Sequence, residues 1–192
     1  MTELVFASNN IHKLGEIRRL LPEGYIIHSL KERGIEEDLP ETGDTIEANA
    51  LQKALHVSGK YKVNCFADDS GLEIAALNGE PGVHSAYYAG LPRDDKKNIA
   101  LVLDKLKNNT QRLARFKTVI AFVNNNQHFL FEGLLNGIIA TEPRGKNGFG
   151  YDPVFIPENS DRTLAEVTPD EKNRISHRAR AVRKFLKFLG LE

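Results

Sequence analysis

Residues 66–73, Phe-Ala-Asp-Asp-Ser-Gly-Leu-Glu, place two adjacent carboxylates, a hydroxyl and a glycine at the end of the apolar run Cys65-Phe66-Ala67. Asp is a poor strand residue, so a pair of them closing such a run points to chemistry at a strand edge. Adjacent carboxylates concentrate negative charge that a cation or a shared proton must relieve. A hard cation such as Mg²⁺ takes one or two carboxylates and keeps its other positions for water and phosphate oxygens. The same residues also make an ordinary polar turn closed by Ser70-Gly71. Taken alone, the segment leaves both readings open.

Three other segments carry side chains of similar promise. Ser8-Asn9-Asn10-Ile11-His12-Lys13 stands where the apolar run Leu4–Ala7 hands over to a helical pattern. The N–H groups and dipole at a helix N-terminus favour anions, and Lys13 adds a full charge in the first turn. That fits a phosphate cradle, and equally an Asn/Ser cap with a surface lysine. Neither GxxxxGK[ST] nor GxGxxG occurs, which removes the main support for P-loop and Rossmann mechanisms. Arg144–Asp152 sets Phe149 and Tyr151 among three glycines, so backbone could approach a ligand while Phe149 offers a flat face to a base. A buried loop anchor is the other reading of that aromatic. Lys172, His177 and Arg178 complete the set. On one continuous helix Lys172 and His177 would point about 140° apart, so a shared ligand requires a break near Ser176, itself a good N-cap.

Charge supports neither nucleic acid nor membrane as a partner, because Lys+Arg and Asp+Glu balance at 26 each. The distribution is uneven, with seven acids and one base from Glu32 to Glu47, and seven bases and no acid from Lys172 to Leu191. Either stretch can be a solvated face, but a metal-triphosphate ligand needs both signs. The single cysteine, Cys65, leaves no intrachain disulfide framework and fits a reducing cytosol. Residues 1–6 lack the basic and apolar regions of a signal peptide, and no run approaches the ~20 apolar residues of a membrane span. The six His are scattered without zinc-ligand spacing.

The elements that must position these residues alternate between strand and helix. Leu4–Ala7 and Tyr25–Leu30 read as strands flanking a helix with Ile11, Leu14, Ile17, Leu20 and Leu21 on one face. Asp44 and Glu47 form a capping-box-like start to a second helix. Cys65–Ala67 and Leu72–Leu77 read as two short strands separated by the acidic segment. Asn78–Pro92 is a functional loop or lid, and Asp94–Leu106 a third helix. Arg115–Val123 and His128–Ile139 pair as a long hairpin through Asn124–Gln127. Pro169–Leu189 is helical. The class is α/β with a mixed sheet, one domain over residues 1–192.

Taken in order along nearly the whole chain, these segments resemble the inosine triphosphate pyrophosphatase family. The resemblance runs through Ser8–Lys13, Glu41-Thr42-Gly43, Asn49-Ala50, Lys53-Ala54, Ala67–Glu73, Pro81-Gly82-Val83, Ser85-Ala86, Tyr88-Ala89-Gly90, Phe131-Glu132-Gly133, Pro143–Pro153, Glu171-Lys172-Asn173 and Ile175–Arg178. It implies an elongated α/β fold with a central mixed β-sheet flanked by helices and two lobes around an active-site cleft, working as a cytoplasmic homodimer. It implies Mg²⁺-dependent hydrolysis of ITP, dITP and XTP to the monophosphate and pyrophosphate. By the same resemblance Asp69 is the proton acceptor and a metal ligand, and Glu41 a second metal carboxylate. Asp68 and Glu73 would touch the metal through water. Ser8, Asn9, Asn10 and Lys13 would hold phosphates, with Ser70 at the substrate and Lys172 alongside. Phe149, Gly150, Tyr151 and Asp152 would wall the nucleoside, and His177 and Arg178 would read the base. Tyr87 stands where the family usually has Arg, and Ala75 where an Asp is common. The competing functions are a pyrophosphatase for other modified or canonical nucleotides, and a nucleotide-binding module without turnover; the Asp69–Glu41 pair argues against the second.

Overall fold

The computed structural model describes residues 2–125 and 127–191, so Asn126, part of the expected hairpin link, lies outside the described residues along with Met1 and Glu192. The elements are β1 (Thr2–Phe6), α1 (Ile11–Arg18), β2 (Tyr25–Ser29), α2 (Ile46–Tyr61), β3 (Cys65–Ile74) and α3 (Asp95–Lys105). They continue as β4 (Leu113–Asn124), β5 (Gln127–Ile139), β6 (Phe155–Pro157), α4 (Pro169–Ile175) and α5 (His177–Phe188). The strands form one sheet in the order β2-β1-β3-β4-β5-β6. Strand β1 runs parallel to both β2 and β3, whereas β5 and β6 are antiparallel. The sheet is mixed and the class α/β.

The chain divides into two compact units. The first takes residues through Asp69, then Thr118–Gly133, then Arg178 onward. Its core joins Leu4, Phe6, Ile27, Phe66 and Ile120 to Leu14 and Ile17 of α1 and to Val182, Phe185 and Leu186 of α5. The Phe66 ring lies 5.0 Å from both Phe6 and Phe185. Such pairs contribute about 0.5–1.5 kcal/mol each beyond area burial. The backbone entering Asp68 is therefore anchored by packing two residues upstream.

The second unit takes Ser70–Lys117 and Leu134–His177. Leu72, Ile74, Ile99, Val102, Phe116, Leu135, Tyr151 and Phe155 are part of its core. Here α3 buries Ile99 and Val102, and the loop before β6 contributes Tyr151.

Four local features differ from the sequence expectation. Strand β3 is one ten-residue strand, so the acidic pair lies within it rather than at an edge between two short strands. Low strand propensity is overridden because three cationic side chains compensate these carboxylates, as the site below shows. The strand ends at Ile74, and Ala75–Leu77 form a 3-10 turn that exits through Asn78 at φ 54°. Helix α2 is capped by Thr45, which accepts from the Ala48 N–H, and not by Asp44. Strand β6 is too short, at three residues ending in Pro157, to give a periodic signal. The break near Ser176 is present: α4 stops at Ile175, Ser176 is extended at φ −63° and ψ 154°, and α5 starts at His177.

Candidate active site

Asp68 and Asp69 are both buried, at 0% and 7% exposure, yet their electrostatic settings differ. Asp68 Oδ1 accepts from Lys13 Nζ at 2.9 Å, and Oδ2 from Arg178 Nε at 3.1 Å. Burial alone would favour the neutral acid, but Lys13, Arg178 and Lys53 outweigh it and hold the Asp68 carboxyl well below the usual carboxylate range. Asp69 has one direct cation, Lys53 Nζ at 3.1 Å from Oδ1. Burial dominates there, and Glu41 adds repulsion, so Asp69 titrates above its ordinary value despite Lys53 and Lys13. The two neighbouring carboxylates are driven in opposite directions, Asp68 toward the ionised form and Asp69 toward the protonated one.

Lys53 also donates to Glu41 Oε1, so a single ammonium sits between Glu41 and Asp69. Burial works against this charge, but Asp69, Glu41 and Asp68 more than offset it and raise the Lys53 pKa. Glu41 is exposed and Asp69 buried. Both carboxylates converge on one cationic point. Among the described residues no three His, Cys, Asp or Glu side chains gather into a group that could hold a metal ion. Two carboxylates with open positions fit Mg²⁺.

The segment at the start of α1 is more structured than a bare cradle. Asn10 is the N-cap, and its side-chain oxygen accepts from the N–H groups of His12 and Lys13 at 3.0 and 3.1 Å. Ser8 Oγ accepts from the Asn10 N–H at 3.2 Å. Asn9 Oδ1 accepts from the Lys31 N–H at 3.1 Å and so ties this turn to the end of β2. The cap thus aims Lys13 back at Asp68, where burial lowers the lysine pKa and Asp68 resists the drop. Arg178 is 2% exposed and also donates to Glu16.

A second group of predicted residues assembles within the other unit. Asp152 is buried, and its Oδ2 accepts from Lys172 Nζ at 2.5 Å and from the Phe149 N–H at 2.8 Å. The same Lys172 Nζ lies 4.7 Å from the Phe149 ring centroid, a cation–π distance. The Gly150 N–H donates to Asp95 Oδ2 at 2.8 Å, and the Tyr151 hydroxyl to the Ser85 carbonyl at 2.9 Å. Burial pushes the Tyr151 phenol above its usual value. His177 stacks on Phe116 at 4.6 Å and 14° between planes. Ser70 is half-buried on β3. Glu73, in the same strand, pairs with Arg115.

Lys53 and Glu16 escaped the reading of side chains one by one. Lys53 did leave a trace, since it falls in the buried stripe Ile46, Ala50, Ala54, Val57 of α2, where an unpaired lysine would be costly. Glu16 lies between the buried Leu14 and Ile17 of α1, and nothing in its spacing announces Arg178, 162 residues away.

An α/β protein with a mixed sheet, paired buried carboxylates of divergent acidity and cations held against them belongs to the class built to handle a charged, metal-associated ligand. The sequence model of the Ham1 family matches residues 4–188, and the chain belongs to that family. Among its relatives, the dITP/XTP pyrophosphatase of Flavobacterium johnsoniae is 49% identical over 187 residues, 97% of each chain. The protein of the same name from Porphyromonas gingivalis is 50% identical over 190 residues, 98% of each. The solved structure of a HAM1 protein from Coxiella burnetii is similar at a TM-score of 0.91, with 42% identity and all of both chains covered. That of the Staphylococcus aureus Ham1 protein gives 0.90, with 40% identity over 98% of each.

Proposed function

We propose that this chain hydrolyses non-canonical purine nucleoside triphosphates, dITP, ITP and XTP, to the monophosphate and pyrophosphate. The names of its full-length relatives support the activity. The observation that carries the mechanism is the split between Asp68, held ionised, and Asp69, raised and joined through Lys53 to Glu41.

Glu41 and Asp69 would hold Mg²⁺, which when bound neutralises phosphate charge and orients the anhydride. Asp69 takes a proton from the attacking water as the water oxygen bonds to phosphorus. The phosphoanhydride between the α- and β-phosphates breaks, and its electron pair leaves with pyrophosphate. Lys53 stabilises the ionised forms of Asp69 and Glu41 before that transfer. Lys13, with Ser8, Asn9 and Asn10 shaping its turn, meets the phosphates, and Ser70 contacts the substrate. Phe149, Gly150, Tyr151 and Asp152 wall the nucleoside, with Lys172 fixing Phe149 and Asp152. His177 and Arg178 read the base. A 6-oxo purine satisfies donors that the 6-amino group of adenine would leave unpaired. We further propose that the enzyme acts as a homodimer in the cytoplasm; among the described residues no helix is long and apolar enough to cross a membrane.

The test is turnover of ITP, dITP, XTP, GTP and ATP with Mg²⁺, assaying pyrophosphate and orthophosphate separately. Pyrophosphate from the first three, with ATP far slower, is the expected result. Orthophosphate release, or equal turnover of ATP and ITP, overturns the reading.

A further inference from the structure

The segment bearing Glu41 has no regular structure of its own: residues 35–43 form no helix, strand or turn. It is held instead by side chains from one stripe of α2, in antiparallel order. The Gly43 N–H donates to Asn49 Oδ1 at 2.8 Å. The Thr42 N–H donates to Gln52 Oε1 at 2.9 Å, and Gln52 Nε2 donates back to Thr42 Oγ1 at 2.8 Å. Glu41 meets Lys53. Further back, Glu37 accepts from Lys60 and from the Tyr61 hydroxyl at 3.0 Å, and pairs with His56 Nε2 at 3.0 Å. Asn49, Gln52, Lys53, His56 and Lys60 recur at spacings of three and four, so they line one helix face. Gly43 permits the close approach, since a Cβ there would lie 2.7 Å from the Ala48 Cβ.

We propose that Gln52 is a positioning residue for Glu41, fixing the backbone beside it through the paired amide–threonine hydrogen bonds. Lys53 alone cannot do this, because a flexible ammonium sets the distance of a carboxylate but not the direction of its backbone. Gln52 grips both the N–H and the hydroxyl of Thr42, the residue next to Glu41, and so sets that direction. It makes no contact with Glu41 itself in this arrangement; its effect is to have the carboxylate already aimed when the metal arrives. The inference rests on the proposed role of Glu41 as a metal ligand.

The experiment compares the wild-type enzyme with Gln52→Ala, Gln52→Glu and Glu41→Gln. Two quantities are read: Mn²⁺ binding to the substrate-free protein by electron paramagnetic resonance, and amide hydrogen exchange across residues 36–44. Gln52→Ala is expected to weaken Mn²⁺ several-fold and to speed exchange at Thr42 and Gly43, with circular dichroism unchanged. Gln52→Glu, whose two oxygens can accept from the N–H and the hydroxyl of Thr42, is expected to restore slow exchange and most of the affinity. Unchanged Mn²⁺ binding in Gln52→Ala, alongside weakened binding in Glu41→Gln, overturns the positioning role alone. Unchanged binding in Glu41→Gln overturns the metal reading on which it stands. Faster exchange without weaker Mn²⁺ binding reduces Gln52 to a structural tie and also overturns the proposal.

Discussion

Asp68 and Asp69 are consecutive in one strand and nevertheless have opposite proton affinities: the first is held below its ordinary range, the second above it. Successive side chains of a strand point to opposite faces, so adjacent acids can meet different neighbours. Asp68 meets Lys13 and Arg178 directly, while among the described residues Asp69 pairs with Lys53, which also binds Glu41. The neighbours of each carboxylate, rather than its place in the sequence, set these opposite directions.

Replacing Asp68 by Asn should destabilise the fold by about 3–5 kcal/mol at pH 7, because it leaves Lys13 and Arg178 short of a buried counter-charge. The pH dependence follows from the direction of the shift. A carboxyl lowered on folding contributes stability that is present above its unfolded value, near about pH 4, and lost as pH falls toward the folded value. The gap in urea midpoint between wild type and Asp68→Asn should therefore hold steady from pH 7 to about pH 4 and begin to close below it. A gap that stays constant with pH would show that the loss is not electrostatic.

Asp69→Asn should show the reverse. Its carboxyl is raised on folding, so its stabilising contribution is fully present below the unfolded value and is lost as pH rises through the folded one, and ionised Asp69 opposes folding at neutral pH. The variant should be at least as stable as wild type at pH 7, while turnover of ITP falls by about 10²–10⁴-fold with loss of the base. A variant that is both folded and active would remove Asp69 from proton transfer. One that is markedly less stable would contradict the upward shift of the Asp69 carboxyl.

Lys172 serves Asp152 and Phe149 together, at 2.5 Å from the carboxylate and 4.7 Å from the ring centroid. Lys172→Met should cost about 3–5 kcal/mol by leaving a buried carboxylate without its cation. Adding Asp152→Asn should recover part of that loss, and the double-mutant cycle measures the coupling. Chemical denaturation of the four proteins checks it. Additive losses would mean that the pair acts as two independent residues.

The strand-helix alternation was legible because it rests on periodicity, and the break at Ser176 was legible as what a ligand shared by Lys172 and His177 would require. The acidic pair was legible as residues but misread as a strand edge. Local propensity cannot know that Lys13, Lys53 and Arg178, 55, 16 and 110 residues away in sequence from their partners, make two buried carboxylates tolerable within a strand. The Asn10 cap was readable from type and position, since a cap is a local device. The side-chain stripe of α2 that grips residues 37–43 was not, because its partners form no element whose period could be seen.

Two glycines of the same loop should respond differently to alanine. Gly148 and Gly150 both have left-handed backbones, at φ +75° and +60°. A Cβ at Gly148 would lie 2.0 Å from Asp152 Oδ2, whereas one at Gly150 meets nothing within 4 Å. Gly150→Ala thus pays only the backbone strain of a left-handed alanine, about 1–2 kcal/mol. Gly148→Ala carries the same strain and must also displace the Asp152 carboxylate from the Phe149 N–H and from Lys172. It should lose more stability than Gly150→Ala and, with Phe149 and Asp152 walling the nucleoside as proposed, raise KM for ITP more than it lowers kcat. Urea denaturation with steady-state kinetics on both variants decides this; equal losses would mean that Asp152 relaxes freely and does not hold Phe149 in place.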